Sequence, residues 1–291
     1  MNPPPVTLDR PMVAPARPVA ASTRSGTPIP IRTEAEIACI GAAGRIVADA
    51  LASMVEAAAP GVTTAELDAI AREVIDGSGG TSLFRHYPTY EPGTGFPGTV
   101  CISVNDEVVH GIPGPRALES GDVVTVDCGV GLGGWCGDAA RTFVVGDAAI
   151  AARDLITTAE SILQMAIDMV QPGVWWSEIA APMARRAEES GYGVVTAYVG
   201  HGIGRRLHES PQIPAFVSKK FRQQGDFPLL PGMVLAIEPM LTLGTSRTLV
   251  SSDGWTVRTE DGLAACHVEH TVAVRAHGAE VLTSPRAHRS G

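Results

Sequence analysis

Val123-Val124-Thr125-Val126 is an apolar, β-branched run that reads as a buried strand, yet it leads directly into an acid, Asp127. A Gly-rich turn from Gly129 to Gly137 then delivers a second acid, Asp138. A carboxylate in apolar surroundings needs partners, and a hairpin that doubles back here sets both acids toward one site. The stretch alone also accommodates a solvated turn acid beside a single buried, hydrogen-bonded Asp. Other acids and imidazoles brought to the same place would separate the two readings.

The chain has 291 residues, 45% hydrophobic and 18% charged, which is ample for a core and typical of a soluble globular protein. A net charge of -9 argues against a nucleic-acid-binding surface on its body. No uninterrupted apolar run reaches the roughly 18 residues of a membrane span, so none is expected. Cys39, Cys101, Cys128, Cys136 and Cys266 are odd in number and form no C-x-x-C pair, which suits free thiols in a reducing cytoplasm.

Residues 1–32 are rich in proline and carry Arg10, Arg17, Arg24 and Arg32 against the single acid Asp9. Lacking apolar periodicity, this arm is expected to be extended or disordered, either as a strap across the body or as a contact to a partner such as the ribosome. The remaining residues, 33–291, form the folded domain. Thr33-Glu34-Ala35-Glu36 has the form of a capping box and predicts a helix to about Ala58, ended by Pro60-Gly61. Thr63-Thr64-Ala65-Glu66 caps a second helix, Leu67 to about Ile75. The plan then recurs: a helix from about Ala149 to Val170, Pro172-Gly173-Val174, and a helix from Ser177 to about Ser190. Strand-like, Gly-punctuated segments follow both pairs. The repeat predicts two similar α/β halves, each with a helix pair against antiparallel strands and with a site between them.

Along those strands lie further chemically capable residues. Val108-Val109-His110 places an imidazole, which taken alone is more often a core histidine than a catalytic one. Val194 to Val199 reads as a strand delivering Gly200-His201-Gly202, and His208 follows seven residues later. Gly232 to Ile237 is a strand ending at Glu238-Pro239, Gly254 to Val257 another, and Cys266 to Val274 a last one with Glu269 in its interior. Asp127, Asp138, Glu238, Glu269 and His201 therefore make four carboxylates and one imidazole in apolar surroundings. If they converge, like charges about 4 Å apart repel by roughly 4 kcal/mol per pair at an effective dielectric near 20. Two divalent cations neutralise the set, and its oxygen-rich donors with one imidazole suit Mn, Fe, Co or Zn. Cys128 and Cys136 read as small core residues.

With their contexts, Gly-His-Gly-Ile-Gly, Ile-Glu-Pro-Met and Val-Glu-His-Thr, these five residues resemble the type I methionine aminopeptidases of the pita-bread metallopeptidase fold. The resemblance spans about Ile31 to Thr283 and includes Cys101-Ile102-Ser103-Val104-Asn105, His110-Gly111-Ile112-Pro113 and Asp253-Gly254-Trp255-Thr256-Val257. It implies an α/β (α+β) pita-bread fold and removal of the initiator methionine from peptides and nascent chains, with a small second residue preferred. It implies two divalent ions, among Co, Mn, Fe, Zn and Mg, and cytoplasmic action as a monomer.

Residue by residue, Asp127 would chelate one ion, Asp138 and Glu269 would bridge the pair, and His201 and Glu238 would complete the other. The pair would lower the pKa of a shared water from roughly 15.7 to about 7. Glu238 would shuttle the proton, His208 would stabilise the tetrahedral oxyanion, and His110 would contact the substrate backbone or departing amine. Phe96, Cys101 and Trp255 occupy methionine-pocket positions. Here the chain departs from the family, with Gly93 where a Tyr is usual, Tyr90 where a small residue is common, and Leu207 in place of an aromatic before His208. A shifted or relaxed pocket is expected, with Tyr90 filling the space left at Gly93. Rival readings are an Xaa-Pro aminopeptidase or prolidase, whose folded N-terminal domain has no counterpart in residues 1–32, and a non-enzymatic binding module, which would not require every ligand position to be intact. The short span from His208 to Glu238 disfavours the type II branch.

Overall fold

The computed structural model describes residues 21–88 and 95–284. Helix α1 (Glu34–Ala57) starts where the Thr33 hydroxyl accepts the Glu36 N–H and the Glu36 carboxylate accepts the Thr33 N–H at 2.9 Å. This reciprocal pair satisfies donors that no preceding turn can reach. Thr63 and Glu66 repeat it at α2 (Thr64–Gly77). Helices α3 (Ile150–Asp168) and α4 (Trp176–Glu189) form the second pair. Helix α4 has Trp175 at its N-cap, which supplies no acceptor. Asp226 takes that part instead, accepting the Ser177 N–H at 3.0 Å and the Ser177 hydroxyl at 2.8 Å.

In the first half, the strand Val123–Leu132 pairs antiparallel with Cys101–Val104 on one side and Trp135–Val144 on the other. Helix α1 lies against the two long strands, over a core that includes Val47, Leu51, Met54, Val124 and Val126. The approach depends on glycine: a Cβ on Gly137 would stand 2.6 Å from the Gly44 backbone nitrogen. In the second half, five antiparallel strands run in the order Glu209–Ile213, Gly200–Gly202, Val234–Ile237, His270–Arg275, Gly278–Val281. The core there joins Leu155, Trp176, Ile179, Phe227 and Leu235. The halves meet where Glu269 N–H donates to the Ala140 carbonyl at 3.0 Å and the Thr271 hydroxyl both accepts from Asp138 N–H and donates to the Asp138 carbonyl.

Several local expectations are corrected. The turn of the long hairpin is Gly133-Gly134 alone, with φ of 57° and 79°, because a two-residue turn of this hand needs two left-handed residues. The strands run on past the other glycines. Of Val194–Val199, only Val194 belongs to a strand, Gly193–Val194; the chain then bends at Ala197 and Tyr198 to enter the other sheet at Gly200. The expected strand at Gly254 begins at Val257. Cys266–Val274 is two strands, Ala265–His267 and His270–Arg275, broken at Val268-Glu269. Opposite this break lies Glu238-Pro239, where proline withdraws a donor from the ladder, so both chains cross between sheets at one level.

The segment expected to be extended or disordered is ordered from residue 21. Ala21–Ser22 pairs with Pro28–Ile29, Ala21 and Ile29 are buried, and Arg32 forms an ion pair with Glu209. Residues 1–20 lie outside the described part. Helix α1 is long and apolar enough to cross a membrane by length and composition, but 61% of that window is buried inside the protein, where it packs as a core helix.

Candidate active site

The hairpin register puts Asp127 opposite Ala140 and Asp138 opposite Gly129. Asp127 and Asp138 are therefore diagonal neighbours on one face, since alternate residues of a strand share a face. Gly129 leaves room for Phe84, whose ring packs where a Cβ would sit. The paired breaks at Glu238-Pro239 and Val268-Glu269 bring both glutamates onto this face. From the third direction, the Gly200–Gly202 strand inserts His201, paired opposite Ala236. Asp138, His201 and Glu269 each offer a donor atom within 4.8 Å of the others. His201 Nε2 stands 3.5 Å from Glu238 Oε1 and 3.8 Å from Asp138 Oδ2. Its Nδ1 lies 3.0 Å from the Gly202 carbonyl, which only accepts, so Nδ1 carries a proton and Nε2 is the ring nitrogen that faces the carboxylates.

Asp127 Oδ1, Asp138 Oδ1 and Glu269 Oε1 are buried without a hydrogen-bond partner among the described residues. Burial and then neighbouring charges drive the acids upward: Asp127 to about 7, Asp138 and Glu269 well above the ordinary carboxylate range. Burial would raise Glu238 too, but His267, His201 and His208 beside it hold its carboxyl below the usual value. Orphaned buried oxygens, repelling carboxyls and an imidazole aimed at them fit divalent cations, whose charge and coordination supply what the protein alone withholds.

Above this cluster is a cavity of about 270 Å³. The expected pocket residues Phe96, Cys101, Leu207 and Trp255 all line it, with Phe96 and Trp255 edge to face at 5.2 Å. Burial raises the Cys101 thiol well above its normal range, so it is a neutral wall. Tyr90 and Gly93 lie outside the described residues. His110 and His208 also line the cavity, and burial lowers both to about 4, leaving neutral imidazoles. His110 takes a left-handed backbone, φ 60°, and its ring meets Tyr198 edge on.

Three lining residues that carry a polar group were not foreseen from the sequence. Tyr87 hydrogen-bonds His208 Nδ1 at 2.8 Å, and Tyr198 packs on His110; neither position carries a local signal, because both belong to irregular segments. His267 is 2% exposed, with Nε2 at 3.5 Å from Glu238 Oε2 and 3.9 Å from Glu269 Oε2. Its spacing of two from Glu269, a same-face spacing in a strand, was the available signal.

Residues 38–276 match metallopeptidase family M24. The chain belongs to this family. Among M24 relatives, it is 42% identical over 254 residues to the methionine aminopeptidase of Clostridium perfringens, covering 87% of this chain and 98% of that one. It is 44% identical over 271 residues to methionine aminopeptidase 1 of Mycobacterium tuberculosis, covering 90% and 98%. The crystal structure of the Thermotoga maritima methionine aminopeptidase superposes with a TM-score of 0.81 at 36% identity, covering 88% of this chain and 99% of that one. A prolidase from Pyrococcus furiosus shares the fold at a TM-score of 0.66 and 23% identity, covering 88% of this chain and 66% of its own. The M24 chain thus has the pita-bread fold that its repeat and motifs led us to expect.

Proposed function

We propose that this chain removes the N-terminal methionine from peptides and nascent proteins, preferring a small second residue, as a cytoplasmic monomer that uses two divalent metal ions. What carries the reading is the convergence of buried carboxylate oxygens, without hydrogen-bond partners among the described residues, with His201 at the floor of a largely apolar cavity. Relatives that the chain matches over nearly their whole length bear the name methionine aminopeptidase.

Asp127, Asp138, His201, Glu238 and Glu269 would hold the ions. When bound, such ions polarise a carbonyl and make water a better nucleophile at neutral pH. The protein's own groups do the rest. Glu238, kept ionised by the imidazoles around it, takes the proton that the attacking water gives up and passes it to the departing amine. His208 has Nδ1 engaged by Tyr87, which leaves Nε2 to hydrogen-bond the developing oxyanion as a neutral donor. His110, also neutral, orients the peptide backbone or the amine as it departs. Phe96, Cys101, Leu207 and Trp255 enclose the first side chain and exclude water from it, and Tyr90 contributes to the same pocket.

The test is release of methionine from a tripeptide such as Met-Ala-Ser by the full chain. Exhaustive chelation should abolish it and a divalent ion restore it. Glu238→Gln should lower kcat by at least ~10²-fold. Activity that survives chelation, or a Glu238→Gln variant as fast as wild type, would overturn the proposal.

A further inference from the structure

We propose that His267 is a second imidazole ligand of the metal centre, offering Nε2 to an ion on the Asp127 side of Glu238 as His201 offers its own on the other side. The inference rests on the metal reading above and adds a residue to it.

Glu238 is the reference. Its Oε1 faces His201 Nε2 at 3.5 Å, and its Oε2 faces His267 Nε2 at the same 3.5 Å. The second neighbour of each ring is also a carboxylate: Asp138 Oδ2 at 3.8 Å from His201, and Glu269 Oε2 at 3.9 Å from His267. These separations are too long for good hydrogen bonds, which cluster near 2.9 Å. They are what two donors of one ion give: atoms each ~2.1 Å from a centre with tetrahedral angles stand ~3.4 Å apart. In its distances to two carboxylates His267 thus matches His201, although the group of donor atoms that all lie within 4.8 Å of one another is Asp138, His201 and Glu269.

Burial agrees. His267 is 2% exposed, and neither Nδ1 nor Nε2 has a hydrogen-bond partner among the described residues. A core histidine held only for packing would have bonded at least one ring nitrogen. Asp127 Oδ1 and Glu269 Oε1, members of the same cluster, are orphaned too. The chain segment explains the aim: Ala265–His267 ends at the break where Glu269 turns inward, and Met240, just past Glu238-Pro239, pairs with His267. An imidazole on each side of Glu238 gives both ions a nitrogen donor, which favours Zn, Co or Fe over Mg.

The experiment is cobalt(II) titration into the chelator-stripped full chain by calorimetry, with the imidazole count taken from X-ray absorption of the loaded protein. Two imidazoles for two ions are expected in wild type and one in His267→Gln. That variant should also weaken one of the two ions at least ~10-fold. Glutamine retains a donor for Glu238, so a merely structural role would leave the count and affinity unmoved. One imidazole for two ions in wild type overturns the inference while leaving the five-ligand reading intact, and so does a His267→Gln protein that binds both ions as tightly as wild type. A wild-type protein that takes up no cobalt overturns both readings. Should His267→Gln not fold, the wild-type count decides alone.

Discussion

His208 shows how much one side chain depends on its immediate neighbours. Burial holds it neutral, with a pKa near 4, and Tyr87 engages one ring nitrogen at 2.8 Å, so its orientation is set before substrate arrives. His208→Ala should lower kcat by ~10²–10³-fold, the scale of a lost oxyanion donor, with little change in KM. Tyr87→Phe should cost only ~5-fold, the worth of one net hydrogen bond of ~1 kcal/mol. Steady-state kinetics on a methionyl tripeptide separate the two. Leu207, in a position where the resembled family carries an aromatic, lines the cavity and leaves a less crowded wall. Tripeptides with varied first residues should therefore show a relaxed preference, with norleucine or leucine cleaved at a measurable fraction of the methionine rate. A strict methionine preference would count against that pocket.

At the level of elements, helix starts are governed by what bonds their first amides. The Thr33 and Thr63 caps are local, spelled out in four consecutive residues, and so were legible. The cap of α4 was not, because its acceptor, Asp226, lies 49 residues away from Ser177 in the chain. Asp226→Ala leaves Ser177 and Phe227 amides without their acceptor in a buried position and should destabilise the protein by about 1–3 kcal/mol, read as a lower urea midpoint with an unchanged slope. The strands taught a related lesson. Cys266–Val274 has the composition of one strand, but Glu269 interrupts it, because the Glu238-Pro239 kink in the neighbouring chain forces the crossover. Strand propensity identified the segments, and cross-strand pairing decided where they end.

For the molecule as a whole, the metal cluster couples stability to pH. Asp127, near 7, and Asp138 and Glu269, raised by burial and by one another's charge, all titrate above the ~4 of an unfolded carboxyl. The metal-free folded state thus binds more protons than the unfolded state above pH ~4, and stability from these groups falls as pH rises through their folded values. His110, His208 and His270, each held near 4, act oppositely, but only below the ~6.5 of a free imidazole. Chelated protein should therefore lose stability as pH rises from 6.5 through 7, the folded value of Asp127, by on the order of 1 kcal/mol in all, and saturating divalent ions should abolish the loss. Urea denaturation with and without chelator checks this; a chelated protein as stable at pH 8.5 as at 6.5 would contradict it. The sequence by itself determined the repeated helix pairs, the long hairpin and the five candidate donors Asp127, Asp138, His201, Glu238 and Glu269, because caps, periodicity and motif order are written in neighbouring residues. Only the tertiary structure decided that residues 21–32 pack down, that Tyr87 steadies His208, and that His267 joins the carboxylates. Those facts depend on contacts between segments far apart in the chain, and burial and charge act on what is near in space.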